Sequence, residues 1–468
     1  MPRHRLSPGR FLLLVVVLAG CAPAAIQPLV PSASTPSHAT APVTATAASA
    51  IPGSLVLAGR IVTMADPPSA EALRIEDGVV AAVGGREEIL AAAGDGVPVI
   101  DLGDAVAYPG FIDAHAHWIG DRGYYGAATP AEAMDAALTR GWTSISEQWV
   151  NDERLVELER LAEEDALPLR VDAYLTLNEP GPDGAHFGDW YAGREPGTVT
   201  EMLRVRGLKM HLDNDWGRII HWAADDLTAT IGRADDAGWQ VSVHTVTDQA
   251  HELVLDAFEA AIGPDGPNPL HHRIEHAVIV TDDHLARMVA MDLAVVAHLD
   301  GAASDWILGS EFEGLDGATK PGIDGTLARW RDFVDAGLHV AASTDAPWFF
   351  PDFRLTDDIG RPVDQVAGGM DARGRAFAGT PDWMLGQRLA AEQGLRAITT
   401  DAAWALGDEA RRGHLAPGTL GDVTVLSGDL LSASPDEIRA MTVLATVVGG
   451  TVVHCGDPLV CGVTAAAP

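Results

Sequence analysis

Between residues 107 and 345 the sequence alternates eight short apolar segments with amphipathic helical windows, and this alternation restricts the fold more than any other feature. The predicted strands are residues 107–114, 143–149, 170–177, 207–212, 240–245, 272–279, 294–299 and 339–345. The predicted helices are residues 130–140, 152–165, 225–237, 248–262, 282–291 and 325–336, with a fainter one near 198–204. Strands that alternate with helices favour a parallel sheet, and eight such units close a TIM barrel. We therefore predict an α/β fold built on a (β/α)8 barrel over residues 109–414.

Both flanks of this region have a β-like pattern. Residues 53–108 contain short apolar runs separated by Gly and Asp, as in a small antiparallel sheet. After residue 415 the sequence turns β-like again, at residues 422–426 and 446–453. We predict that residues 53–108 and 415–468 meet as one small β-sandwich domain beside the barrel.

The N-terminus has the pattern of an export signal. Residues 1–10 carry three arginines and no acid, and the apolar run over residues 11–18 is too short to span a bilayer. The small residues before Cys21 resemble a bacterial lipoprotein box, in which the cysteine is lipidated. We predict a lipoprotein signal peptide over residues 1–20, lipidation of Cys21, an Ala/Pro/Ser/Thr-rich tether over residues 21–52, and a lipid-anchored, extracytoplasmic location in the cell envelope, periplasmic or at the outer membrane. The alternative is a plain secretory signal with an incidental cysteine.

Acidic residues outnumber basic ones, with 66 Asp and Glu against 31 Lys and Arg, for a formal net charge of -35. Binding to nucleic acid and electrostatic docking on anionic lipid both require clustered Lys and Arg. We therefore expect no nucleic-acid partner, and no membrane contact other than the lipid anchor.

The chain has three cysteines, and two of them lie near the C-terminus. If Cys21 is acylated, Cys455 and Cys461 remain as a pair, and a disulfide is the form expected in an oxidising compartment. A metal site there is less favoured, because His454 is the one further ligand nearby. We predict a disulfide between Cys455 and Cys461.

Residues that can bind a metal lie at the ends of the predicted strands. The first strand closes with His115 and His117, and side chains at positions i and i+2 of a strand point the same way. Strand five ends at His244, strand six carries His276, and strand eight ends at Asp345. Active sites of such barrels form at the carboxyl ends of the strands, so these side chains are candidate ligands of one centre.

Strand four places a lysine in the barrel interior. Leu208, Met210 and Leu212 form an apolar face toward the outer helices, which turns Lys209, His211 and Asp213 inward. An unpaired buried ammonium is costly, so Lys209 requires a partner or a chemical role. One alternative is a structural lysine paired with Asp213 or Asp113 in a one-metal site.

The motifs at residues 109–117, 141–145, 208–213, 241–244, 273–277, 343–345 and 415–426 together resemble the amidohydrolase superfamily, most of all the amidohydrolase 3 branch with N-substituted formamide deformylase-like enzymes. The resemblance implies two divalent metal ions, for which Zn is suitable, with Lys209 carboxylated by CO2 as a bridging carbamate. The implied metal ligands are His115, His117, Lys209, His244, His276 and Asp345. It also implies hydrolysis of an amide-type C–N bond by a metal-bridging hydroxide, with Asp345 as the catalytic general acid/base.

Other functions remain open at this point. A metal-dependent dipeptidase or a lactonase on the same fold is one alternative. A mononuclear deaminase is disfavoured, because such enzymes place a general-acid Glu three residues after the strand-five histidine, where this chain has Thr247. A non-catalytic surface lipoprotein is disfavoured because no ligand type has been lost.

Aromatic and histidine side chains are concentrated at the strand ends and in three long connections, residues 178–197, 300–325 and 346–381. The candidates for substrate binding are Trp118, Trp149, His211, Trp216, His298, Trp306 and Trp348. They favour a small-molecule substrate that is uncharged and partly hydrophobic, although packing of the loops onto the barrel rim is an equal alternative. Two further acids are less informative: strand two ends in Glu147, whose contribution to the pocket stays open, and Glu275 is expected only to pair with Arg273.

Overall fold

The computed structural model describes residues 53–94, 96–179, 185–214, 219–300, 325–348, 360–372, 385–462 and 464–465. The predictions for Cys21, Trp216 and Trp306 lie outside these residues. Among the helices of the described residues, none is long and apolar enough to cross a membrane.

The N-terminal flank forms one side of a mixed sheet. Its elements are β1 (Leu55–Val62), β2 (Ser69–Glu76), β3 (Val79–Gly84), α1 (Arg86–Ala92) and β4 (Pro98–Pro109). β1 pairs parallel with β4 and antiparallel with β2, and β2 pairs antiparallel with β3. Alternation along β1 sends Leu55 and Leu57 into one core and Val56 and Ala58 into another. Both faces of the sheet are therefore apolar, and α1 covers the second face through Ile89.

The predicted barrel is confirmed. The strands of this region are β5 (Phe111–Ala116), β6 (Trp142–Val150), β7 (Arg170–Thr176), β8 (Gly197–Thr200), β9 (Leu203–His211), β10 (Asp213–Asn214), β11 (Ile219–Ile220), β12 (Gln240–Thr245), β13 (Arg273–His276), β14 (Ala294–Ala297) and β15 (Val340–Ala342). Eight of them pair parallel in the order β5, β6, β7, β9, β12, β13, β14 and β15. The ends of the series meet where the Asp345 amide donates to the His115 carbonyl (3.0 Å) and the His117 amide donates to the Ala346 carbonyl (2.8 Å).

Two local predictions need correction. The first predicted strand, residues 107–114, is divided between β4 and β5, because Gly110 separates the sheet of the flank from the barrel. The faint helix near residues 198–204 is wrong: this segment holds β8, which pairs antiparallel with β9. Thr198, Val199 and Thr200 are β-branched, and such residues favour strands over helices.

Helices follow the barrel strands as predicted. They are a 3-10 helix (Arg122–Tyr125), α2 (Pro130–Thr139), α3 (Asp152–Glu163), α4 (Ala224–Asp236), α5 (Asp248–Ile262), α6 (Asp282–Ala290), α7 (Trp330–Asp335), α8 (Pro362–Asp371), α9 (Ala391–Ala397) and α10 (Thr400–Ala405). Side chains of Thr129, Asn151, Thr247 and Thr281 cap α2, α3, α5 and α6 by accepting from a backbone amide of the first turn.

The C-terminal flank completes the sheet begun by the N-terminal flank. Its elements are β16 (Val423–Leu426), α11 (Pro435–Arg439), β17 (Val443–Val448), β18 (Thr451–Cys455), α12 (Pro458–Cys461) and β19 (Thr464–Ala465). β16 and β19 both pair with β4, so strands from both flanks share one eight-stranded sheet. Cys455 and Cys461 are joined by a disulfide, with Cα atoms 6.0 Å apart.

Candidate metal centre

Four ligand-type side chains converge at the carboxyl ends of the barrel strands. Asp345 Oδ1 lies 3.1 Å from His117 Nε2 and 3.3 Å from His115 Nε2, and the two nitrogens are themselves 3.3 Å apart. Ligand atoms of His115, His276 and Asp345 all lie within 4.8 Å of one another, and the three residues are buried. Lone pairs aimed at one point repel each other unless a cation lies between them, so this donor set fits a metal ion. Imidazole and carboxylate together suit zinc.

Burial keeps most of these imidazoles in the form that binds metal. Desolvation lowers the pKa of His115 and holds the pKa values of His244 and His276 well below their usual range, so these rings are neutral near pH 7. Burial also opposes protonation of His117, but Asp345 outweighs it and raises the pKa of that ring. A neutral imidazole offers a free lone pair to a metal.

Lys209 and His244 lie beside this cluster. The His244 ring is 4.5 Å from the His276 ring, and its side chain is 24% exposed. Lys209 is fully buried, and within the described residues its Nζ has no hydrogen-bond partner. Burial lowers the pKa of Lys209 to about 8, which makes the neutral amine accessible. Among the described residues, the Lys209 amine therefore lacks the hydrogen-bond partner that a buried polar group requires.

The carboxylates considered as partners of Lys209 bind elsewhere. Asp213 accepts from the amides of Val246 and Thr247, which fixes the turn after β12. Asp113 accepts from the Thr344 amide at 3.0 Å and from the Thr344 hydroxyl, which joins the first strand to the last. Among the described residues, neither acid therefore forms an ion pair with Lys209.

Glu275 supports His115, and the prediction that it pairs only with Arg273 was wrong. Its Oε2 lies 2.5 Å from His115 Nδ1, while Ser242 Oγ donates to Oε1 at 2.8 Å and Arg273 donates to both oxygens. With Nδ1 donating to this carboxylate, the Nε2 lone pair of His115 faces Asp345. Strand alternation alone would point Glu275 away from the side of His276. The φ of His276 is +72°, so the backbone turns at that residue and the alternation no longer separates the two side chains.

His298, a predicted substrate-binding residue, contacts the candidate ligand His276. Its Nε2 is 2.7 Å from His276 Nδ1, and the two rings stack with centroids 5.0 Å apart. This contact occupies Nδ1 of His276 and leaves Nε2 as the nitrogen that can bind a metal. The hydrogen bond crosses from β13 to the end of β14, so sequence spacing could not reveal it.

Strand two contributes through Glu147, whose role the sequence left open. Its carboxylate accepts from the amides of Ile119 and Gly120, each at 2.9 Å, and so holds the turn that follows His117. A Cβ at Gly120 would lie 2.7 Å from Glu147 Oε1, so the turn needs glycine. Burial raises the pKa of Glu147 to about 7.

The predicted aromatic residues divide into two groups. Trp118 is fully buried, and its indole donates to Asp113 at 3.0 Å, so it belongs to the core and not to a pocket wall, against our prediction. Trp348 lies beside His117, with ring centroids 6.4 Å apart. Trp149 lies 5.6 Å from the His211 ring, which is 5.7 Å from the His244 ring. Trp149, His211 and Trp348 therefore lie at the edge of the candidate ligands, here called the metal-ligand cluster: His115, His117, His244, His276 and Asp345.

The fold agrees with a match of residues 124–454 to the amidohydrolase family model. The chain belongs to the amidohydrolase family. This membership confirms the resemblance carried by the strand-end motifs.

Relatives of this amidohydrolase include the protein YtcJ of Bacillus subtilis strain 168, with 26% identity over 58% of the chain and 46% of that protein. The N-substituted formamide deformylase of Arthrobacter pascens is 26% identical over 47% of the chain and 37% of that enzyme. The chain thus spans less than half the length of the curated relatives it matches.

Solved structures share the fold. An uncharacterized metal-dependent hydrolase from Pyrococcus horikoshii OT3 superposes with a TM-score of 0.65 at 18% identity, covering 82% of this chain and 99% of that one. Atrazine chlorohydrolase from Arthrobacter aurescens TC1, complexed with zinc, gives a TM-score of 0.58 at 16% identity, covering 85% and 94%. At these identities the likeness shows the common architecture.

Proposed function

We propose that this chain is a metal-dependent hydrolase that cleaves a carbonyl-centred, amide-type C–N bond. The convergence of His115, His117, His276 and Asp345 beside the orphaned amine of Lys209 carries the proposal. Membership of the amidohydrolase family supports it, and one relative of the chain is named as an N-substituted formamide deformylase.

The metal ligands proposed are His115, His117, Lys209, His244, His276 and Asp345, holding two divalent ions for which zinc is suitable. Lys209 would act as a carbamate: its neutral Nζ forms a bond to the carbon of CO2 and loses a proton, which converts a buried cation into an anionic oxygen donor. Divalent ions bound at this place supply a Lewis acid for the substrate carbonyl and make water more acidic.

Asp345 is the proposed general acid/base. Burial raises the pKa of this carboxyl, but His115 and His117 outweigh it and hold it well below its usual value, so the group is an ionised proton acceptor. It takes the proton of the attacking water at a carboxylate oxygen and passes it to the leaving nitrogen as the C–N bond breaks. Water adds to the carbonyl carbon, and the products are a carboxylic acid and an amine.

A panel of matched compounds tests the choice of bond. We expect the zinc-loaded chain to hydrolyse N-substituted amides, with the acid and the amine appearing in equal amounts by mass spectrometry. The panel includes esters with the same acyl groups, lactones and dipeptides as competitors. Turnover confined to lactones or dipeptides would contradict the amide proposal and favour the corresponding alternative.

A further inference from the structure

Aromatic side chains stand at two separate places on the rim of the metal centre. Tyr124 and Trp348, here called the 124/348 pair, have ring centroids 5.2 Å apart and lie beside His117. Trp149 and Phe187, called the 149/187 pair, have centroids 6.2 Å apart and lie beside His211. The first pair follows strands eight and one of the barrel, whereas Trp149 lies at the end of strand two and Phe187 follows strand three.

Much of this aromatic surface is exposed. Tyr124 is 57% exposed, Trp348 40% and Phe187 36%, next to histidines that are buried. Exposed apolar surface grouped beside a polar centre is typical of a ligand site.

Charged neighbours hold both pairs in place. Trp348 Nε1 donates to Asp121 at 3.2 Å, and the Arg154 guanidinium lies 6.0 Å from the Trp149 ring centre. Asp121 and Arg154 are 3.8 Å apart, so their charges compensate each other between the two aromatic pairs. The two aromatic pairs therefore lie on either side of the ion pair between Asp121 and Arg154.

We infer that the substrate carries an apolar group on each side of the scissile bond, and that each aromatic pair binds one of them. The inference rests on the proposed amide hydrolysis and names its substrate class: an uncharged secondary amide with an apolar acyl group and an apolar nitrogen substituent.

The position of Asp345 assigns the two sides. Asp345 delivers the proton to the leaving nitrogen. Its Oδ1 lies 3.1 Å from His117 Nε2, and the centroid of the His117 ring is 6.4 Å from that of Trp348. The nitrogen substituent therefore lies toward the 124/348 pair. The acyl group extends toward the 149/187 pair, on the side of His211 and His244.

Four amides isolate the two subsites: phenylacetanilide has both rings, acetanilide has the nitrogen-side ring, N-methylphenylacetamide has the acyl-side ring, and N-methylacetamide has neither. The measured quantities are ratios of kcat/KM, so a general change in activity cancels. In Trp348→Ala the ratio of acetanilide to N-methylacetamide should fall ~5–10-fold, the scale of an aromatic contact, while the ratio of N-methylphenylacetamide to N-methylacetamide stays constant. In Phe187→Ala the second ratio should fall and the first stay constant.

Two further variants make the result decisive. Val289→Ala removes a 39% exposed apolar side chain from α6, outside the centre, and should change neither ratio. Tyr124→Ala should lower the same ratio as Trp348→Ala, because both residues belong to the 124/348 pair. If Trp348→Ala does not fold, Tyr124→Ala takes its place in the test. Both ratios falling together in each rim variant, or neither falling, would overturn the two-subsite inference.

Binding separates this inference from the proposed reaction. Should the zinc-loaded chain hydrolyse none of the four amides, the proposed function fails, and calorimetry with phenylacetanilide still tests the rim. Weaker binding of phenylacetanilide by Trp348→Ala and by Phe187→Ala, with Val289→Ala unchanged, would uphold the subsites. Equal affinity in all four proteins, or no binding by the wild type, would refute them.

Discussion

Replacing Asp345 by asparagine should slow hydrolysis of every amide substrate by ~10²–10⁴, the range for losing a positioned acid–base group. The amide side chain keeps the size of the carboxylate and one oxygen toward His115 and His117, so the metals should stay approximately in place. It cannot take a proton from water or return one to the leaving nitrogen. The measurement is kcat at saturating zinc, together with the metal content of the variant.

Asp235→Asn is a matched control for this substitution. Asp235 also faces a histidine, with Oδ1 3.1 Å from His272 Nε2, but it lies at the end of α4 outside the metal-ligand cluster. We expect its kcat to equal that of the wild type. An Asp345→Asn protein that hydrolyses all active substrates at the wild-type rate would refute the assigned acid–base role.

Replacing Lys209 by alanine should leave the chain with fewer than two bound metal ions and lower turnover by more than ~10²-fold. Loss of a group that only supports a metal ligand already costs ~10–100-fold in affinity or activity, so loss of a ligand itself should cost more. Lys209 has no other evident task, because its Nζ is buried without a hydrogen-bond partner among the described residues. Metal analysis and initial rates give the answer.

A second variant and an added carboxylic acid distinguish a metal-ligand role of Lys209 from a role in packing. Lys209→Met keeps the volume of the side chain without an amine, and should behave like Lys209→Ala. Acetate or propionate added to Lys209→Ala should restore part of the activity by supplying a carboxylate at the vacated place. Two tightly bound metals and unchanged rates in Lys209→Met would exclude the carbamate.

The fold was predictable because its signals are local and repeated. Apolar segments of strand length alternate with capped helices, and α5 begins and ends at the predicted residues. The approach of His115 to His117 and the burial of Lys209 were predictable for a related reason: the i, i+2 geometry of a strand places the two histidines together and turns the lysine inward.

The contacts that the sequence did not reveal join residues on different strands or break the alternation. Glu275 reaches His115 across the barrel, and His298 reaches His276 from the next strand. Neither contact leaves a periodic trace in the sequence. Trp118 was misassigned because its place after His117 resembles that of a pocket residue, whereas its indole is bound by Asp113 in the core.

The metal content of the purified chain, measured beside its amide hydrolysis before and after chelation, tests the metal-dependent reaction most directly. We predict two divalent ions per chain, loss of hydrolysis when both are removed, and its return when zinc is added. Full hydrolysis by the metal-free chain, or no metal bound after reloading, would contradict the proposed centre.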